Sequence, residues 1–397
     1  MMSNNPDERR GFKNIVALGL VSLFTDMSTE MILGLYPAFI VSVLKASRTV
    51  LGFTEGLAIL LSYSFRLVSG LISDVIGRRK VLVLVGYCLS NLTKPILSIA
   101  RTWVEAVFVR LIDRVGKGVR TAPRDALLSE SVEEARTGIA FGIHRTLDQT
   151  GAIVGPLLAF VLMPILGFRG IFFLSLLPGL AAIVTLAVLV EERKAPKVKS
   201  KSYRIDFKVL LRRDFLMLLG ILTTFSVGAF NFSFLLLRVG AMGVSEVLFP
   251  LFYVLINVSH TIVGIPTGYL ADRFGKEVAI LLGYITFLIS CLLCLSDITG
   301  IPFAVLVALI YGVYVGMIET SQRAVIPEYV PEDLRGSGYG VYYLLIGISS
   351  LAANSVVGLL WDTLGLKTAF EYSLITTIVS TVSLLAFIVK KKSKNLS

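Results

Sequence analysis

The chain has 397 residues, of which 55% are hydrophobic and only 16% charged, and its mean hydropathy is +0.80. Soluble domains carry about 25% charged residues, so an ordinary water-soluble enzyme and a disordered chain are both excluded. The net charge of +11 is scattered among apolar runs, which points to loops facing anionic lipid and away from nucleic acid.

A membrane crossing needs about 20 apolar residues. The apolar runs predict twelve helical spans, over residues 14–44, 48–76, 80–100, 102–129, 135–166 and 168–190, then 214–241, 246–273, 277–297, 302–328, 332–363 and 367–389. The polar start MMSNNPDERR leads into a run that lacks a small-residue cleavage site, so it reads as a retained span and not a signal peptide. Residues 191–213 break the pattern with Arg193, Lys194, Lys197, Lys199, Lys201, Arg204, Lys208, Arg212 and Arg213. They form a basic linker between a six-helix bundle at 1–190 and a second at 214–397. With both termini inside, the inner segments also hold Arg9, Arg10, Lys13, Arg78, Arg79, Lys80, Arg136, Arg273, Lys276, Arg335 and a lysine-rich end, whereas the outer ones hold only Lys45, Arg48, Arg101, Arg169 and Lys367. That asymmetry places both termini and the linker in the cytoplasm of a multi-pass plasma-membrane protein.

Within the spans, charge marks the candidate chemistry. Asp26 and Glu30 are four residues apart on the first span and share a face. They suit a proton carrier, with an ion pair to basic residues of the fourth or fifth span as the alternative. The turn after the second span reads Gly70-Leu-Ile-Ser-Asp74-Val-Ile-Gly77-Arg78-Arg79-Lys80. On the fourth span Arg110, Asp113, Arg114, Lys117, Arg120 and Arg124 fall on one side of the helix. Charge in hydrocarbon costs about 2.5–3.5 kcal/mol per residue even on lenient scales, so these groups face a wet cavity or each other. Arg110 and Arg114 lie deep enough for a cavity role; Arg120, Arg124 and Asp125 also fit a salt-bridged helix end. The fifth span places His144 and Asp148 one turn apart, where they suit a proton relay or, equally, the polarity of a packing interface, followed by Gly151-Ala-Ile-Val-Gly155-Pro156-Leu-Leu-Ala159, a small-residue face for close packing with a proline bend. In the second bundle, Asn231 and Arg238 on the seventh span and Glu319 and Arg323 on the tenth are cavity candidates, the last two at ion-pair spacing.

Other chemistry is not signalled. Cys291 and Cys294 form a CxxC inside an apolar run, and with Cys88 they are too few for a disulfide scaffold. His144 and His260 are far apart and no HExxH exists. Gly116-Lys117-Gly118 lacks the spacing of a phosphate-binding loop. No metal, cofactor or nucleotide is expected, and a membrane-embedded enzyme or sensor would need a constellation that is missing here.

The two bundles repeat. Ser47/Ser245, Gly70/Gly268, Asp74/Asp272, Gly77/Gly275, Gly142/Gly340, Gly167/Gly365 and Phe172/Phe370 are all 198 residues apart, as expected of parallel repeats related by an axis along the membrane normal. The turn at 70–80 and its echo Gly268-Tyr-Leu-Ala-Asp272-Arg-Phe-Gly275-Lys276 resemble the G-x-L-A-D-R-x-G-R-K signature of the major facilitator superfamily, with Val75 where a basic residue is usual. The fifth-span run resembles that family's antiporter motif, with Ala159 and Phe160 in place of its final glycines. The resemblance implies an all-α membrane fold, a gating role for Asp74 and more weakly Asp272, a central cavity lined by spans 1, 4, 7 and 10, and efflux of a small organic solute in exchange for protons by a monomer. Import of an anionic metabolite is the alternative, suggested by the basic fourth span.

Overall fold

A computed structural model describes residues 6–131, 137–192, 212–331 and 334–396. Arg136 and the linker residues from Arg193 to Lys208 lie outside the described residues. The described residues are helical without strands. The helices are α1 (Pro6–Leu33), α2 (Arg48–Ile76), α3 (Arg79–Thr93), α4 (Trp103–Glu130), α5 (Thr137–Leu174), α6 (Leu176–Leu189), α7 (Arg213–Gly228), α8 (Phe232–Ala241), α9 (Phe249–Phe274), α10 (Lys276–Leu295), α11 (Ile301–Tyr329), α12 (Arg335–Thr363) and α13 (Leu366–Leu396).

Ten stretches are long and apolar enough to cross a membrane. One of them, Ile139–Leu189, is 51 residues and so two crossings long; it leaves helical geometry at Gly167 (φ 61°, ψ −178°), the boundary expected between the fifth and sixth spans. The remaining crossing is α4, whose charges keep it off a purely apolar scale. A capping box starts α4: Thr102 accepts from the Glu105 amide, and Glu105 reaches back to the Thr102 amide. The fold is thus the two-bundle, twelve-span membrane architecture. Large apolar side chains are exposed on helix faces, as at Leu177, Val184 and Val188 on α6 and Ile262 and Ile265 on α9, which suits a lipid surround.

Two expected spans are interrupted. The first bends after α1 at Gly34–Leu35 and runs on through a short helix at Tyr36–Ala38 and a wider turn at Phe39–Val43. The seventh divides into α7 and α8, with Asn231 capping α8 by accepting from the Ser233 amide at 2.9 Å. Continuous hydrophobicity hid both breaks. The internal repeat, by contrast, returns as backbone geometry: Gly77 and Gly275, and Gly167 and Gly365, all take positive φ, between 61° and 102°. A side chain with Cβ is strained there.

The chain divides into two compact units, Met1–Ile40 with Leu61–Tyr203, and Val41–Leu60 with Arg204–Ser397. The first is cored by Ile15, Leu18, Val21, Val83, Tyr87, Leu127, Leu128 and Leu186. The second is cored by rings, with Phe225 stacked on Tyr284 at 3.9 Å and Phe287 against Tyr314 at 4.4 Å. In the second unit Asp362 of α12 caps α2, accepting from the Arg48 and Thr49 amides at 3.2 and 2.7 Å.

Candidate functional site

The charged residues of the first unit converge where glycines let helices touch. Gly151 and Gly155 of α5 sit against the α1 backbone so closely that a Cβ would lie 2.3 Å from the Leu23 carbonyl oxygen and 2.5 Å from that of Met27. Asp26 stands between those two α1 residues, and Asp148 is one turn before Gly151. The side chains of Asp26 and Asp148 therefore come within hydrogen-bond reach of one another. Lys117 of α4 lies within electrostatic reach of both Asp26 and Glu30. Asp148 also accepts from Arg145 at 3.1 Å. His144, buried one turn earlier, is close to Arg124 and Asp148.

On α4, Gly116 and Gly118 play the same part. A Cβ at Gly116 would lie 2.8 Å from the Gly86 carbonyl oxygen of α3, and one at Gly118 would lie 2.7 Å from the Ser62 carbonyl oxygen of α2. With α4 pressed onto α2 and α3 along its glycine face, its charged face meets α1, α3 and α5. Asp113, only 3% exposed, is the anchor: it receives Arg110 at 3.4 Å, Arg114 at 3.5 Å and the Ser90 hydroxyl at 2.5 Å. Arg110 also stands over the Tyr36 ring at 5.6 Å. Lower on the helix Asp125 pairs with Arg124 at 2.8 Å and with Arg66 of α2 at 3.3 Å, and Arg124 donates to Ser22 of α1 at 3.2 Å.

A further basic group belongs here that the motif reading left out. Lys94, at the end of α3, is buried and donates to Thr29 at 2.6 Å and Asn91 at 2.9 Å, with Asp113, Arg120, Asp26 and Arg114 in electrostatic reach. It is the only charged residue in the apolar run 81–100, and that isolation was the available signal.

Within the second unit, the candidates make contacts of their own. Arg238 is buried and donates to the carbonyls of Cys294 and Ser296 at 2.8 and 2.7 Å, fastening α8 to the end of α10. Asn231 is the α8 cap, and its own amide donates to Asn354 at 2.8 Å. Glu319 meets Arg323 at 3.8 Å and His260 of α9 at 3.5 Å. In the turn after α2, Asp74 pairs with Arg79 at 3.5 Å and Arg79 with Glu130 of α4 at 2.9 Å, while Gly70 faces Ala122 of α4, where a Cβ would lie 3.3 Å away. In the echo, Lys276 pairs with Glu328 of α11 at 2.9 Å, with Asp272 in electrostatic reach.

Two repeated six-span halves, with a dense ionisable cluster inside one of them, define a membrane transporter. The family model described as the Major Facilitator Superfamily matches residues 18–354 and, in a second match, 258–397. The chain belongs to that superfamily. It is 32% identical over 393 residues to an uncharacterized MFS-type transporter of Methanocaldococcus jannaschii, covering 97% of each chain. It is 28% identical over 363 residues to an uncharacterized protein of Mycobacterium tuberculosis, covering 88% of this chain and 86% of the relative. Among solved structures, a mutant of the nucleoside transporter NupG superposes with a TM-score of 0.78 at 15% identity, over 94% of this chain and 99% of the other; at that identity the likeness is one of fold.

Proposed function

We propose that this chain is a proton-coupled secondary transporter that exports a small organic solute in exchange for protons, working by alternating access as a monomer in the plasma membrane with both termini in the cytoplasm. The observation that carries the reading is the carboxyl pair of Asp26 and Asp148, held at hydrogen-bond reach where α1 and α5 touch. Two carboxyls this close repel if both are ionised, and one proton between them removes the repulsion. Lys117 and Arg145, also beside the pair, are the cations that stabilise the carboxylates when the proton leaves. The exchange direction is supported by the small-residue run from Gly151 to Ala159, the stretch that resembles an antiporter motif. Orientation rests on the basic residues of the inner segments.

Reconstitution into liposomes with and without an imposed pH gradient tests the reading. Asp26→Asn and Asp148→Asn are each expected to abolish proton-driven solute flux while leaving downhill solute exchange. Proton-driven flux that survives in both variants would move coupling away from this pair. The alternative, symport of an anionic metabolite, is favoured by the excess of basic groups along α4. The sign of the pH gradient that drives accumulation separates the two.

A further inference from the structure

Three buried or part-buried acids of the first unit have their cations. Asp113 takes Arg110 and Arg114, Asp125 takes Arg124 and Arg66, and Asp148 takes Arg145. Arg120 stands apart from this pairing. It is 3% exposed, and its Nε and Nη1 have no hydrogen-bond partner among the described residues. No carboxylate among them reaches it at salt-bridge distance; its guanidinium instead lies over the Tyr87 ring at 4.3 Å. The Tyr87 hydroxyl, fully buried, is likewise without a partner and lies within electrostatic reach of Arg124. Lys94 and Lys117 are both in electrostatic reach of Arg120, and each also has carboxylates in reach, Asp113 and Asp26 for Lys94 and Asp26 and Glu30 for Lys117. Lys117, Arg120 and Arg124 follow at i, i+3 and i+7 and share one face of α4, on which Lys117 and Arg124 are part-exposed.

A buried guanidinium among other cations is strongly disfavoured unless an anion joins it. A stacked, planar cation with idle N–H groups beside an idle hydroxyl is a cradle for an oxyanion. We infer that Arg120, stacked on Tyr87 and flanked by Lys117 and Lys94, is the anchor of a subsite for the oxyanion group, carboxylate or phosphate, of an organic solute. The inference rests on the transporter reading for its ligand's being cargo, and it names the cargo's class. Its anchor, Arg120, is not one of the groups assigned to proton coupling, so the two readings are tested at different residues.

The test is equilibrium binding to the full-length protein in lipid nanodiscs, without a pH gradient, using benzoate, phenyl phosphate and benzylammonium as matched probes. At least one of the two anions is expected to bind, and benzylammonium to bind more weakly than it does. Arg120→Gln is expected to weaken the anion by about ten-fold or more, the loss of a hydrogen-bonded charge partner. Arg120→Lys, which keeps the charge but not the planar fork, is expected to weaken it less, and it decides the matter if Arg120→Gln fails to fold by thermal unfolding. Benzoate against phenyl phosphate tells the two headgroups apart. Tighter binding of benzylammonium, no anion binding to the unaltered protein at 10 mM, or unchanged anion affinity in the folded Arg120 variants would overturn the inference. Because the assay carries no pH gradient, anion affinity reports on this subsite and proton-driven flux reports on coupling, and either can fail without the other.

Discussion

At the scale of single residues, the first unit is held by charges that can exist there only in company. Asp113 is the sharpest case, since one buried carboxylate serves Arg110, Arg114 and Ser90 together. Its replacement by Asn keeps the shape and removes the charge, leaving two arginines short of their anion. Removing one partner of a buried ion pair costs about 3–5 kcal/mol, so Asp113→Asn is expected to lower the unfolding temperature in detergent markedly and to reduce the yield of folded protein. A variant that unfolds with the unaltered protein would show that α4 is held by its glycine contacts alone. The helical wheel placed Asp113 beside its arginines because i, i+3 spacing fixes that meeting. It did not supply Lys94, Tyr87 or Ser90, since their part depends on which face of α3 meets α4. Likewise Arg238 and Asn231 were legible as polar groups in an apolar span, but their use as a carbonyl fastener and a helix cap depends on the break at 229–231, which hydropathy alone does not reveal.

At the scale of elements, glycine spacing decides which helices touch and so which side chains can react. The run Gly151–Ala159 was legible as a packing face; what the sequence could not supply was the partner, and that partner, α1, is what makes Asp148 the neighbour of Asp26. The paired substitutions Gly155→Ala and Gly142→Ala on α5 separate packing from helix propensity. At Gly155 the new methyl would lie 2.5 Å from the Met27 carbonyl oxygen, whereas at Gly142 nothing lies within 4 Å. Forced separation of the helices is expected to cost about 1–3 kcal/mol at Gly155, while Gly142→Ala is expected to be neutral or to gain about 0.5–1 kcal/mol from the better helix former. Thermal unfolding of the two variants side by side checks this, and equal shifts would mean that the α1–α5 contact is looser than described. Gly155→Ala should also weaken proton-driven flux, because it moves the two aspartates apart.

For the whole molecule the repeat is exact in some features and abandoned in others, and the difference separates scaffold from function. The turns at Gly77/Gly275 and Gly167/Gly365 keep both offset and backbone geometry; the sequence revealed them because only glycine fits there at low strain. The interiors diverge, with ion pairs in the first unit and stacked rings in the second, so the transport chemistry proposed here is asymmetric on a symmetric frame. The turn after α2 shows the same split. Asp74 is 44% exposed and meets Arg79, and Arg79 reaches on to Glu130, which ties the turn to the end of α4. Asp272 lies near Lys276, whose own direct partner is Glu328. An exposed pair contributes little to stability, about 0–1 kcal/mol, so removing either aspartate should leave folding intact. If the turn must rearrange in each cycle, however, the chain Asp74–Arg79–Glu130 sets how readily it does so. Asp74→Asn and Arg79→Gln are both expected to slow solute exchange several-fold at unchanged unfolding temperature, with Asp272→Asn affecting it less. Exchange rates measured in liposomes at matched protein density would decide. A larger effect from Asp272→Asn than from Asp74→Asn would place control of the exchange rate in the echo turn instead.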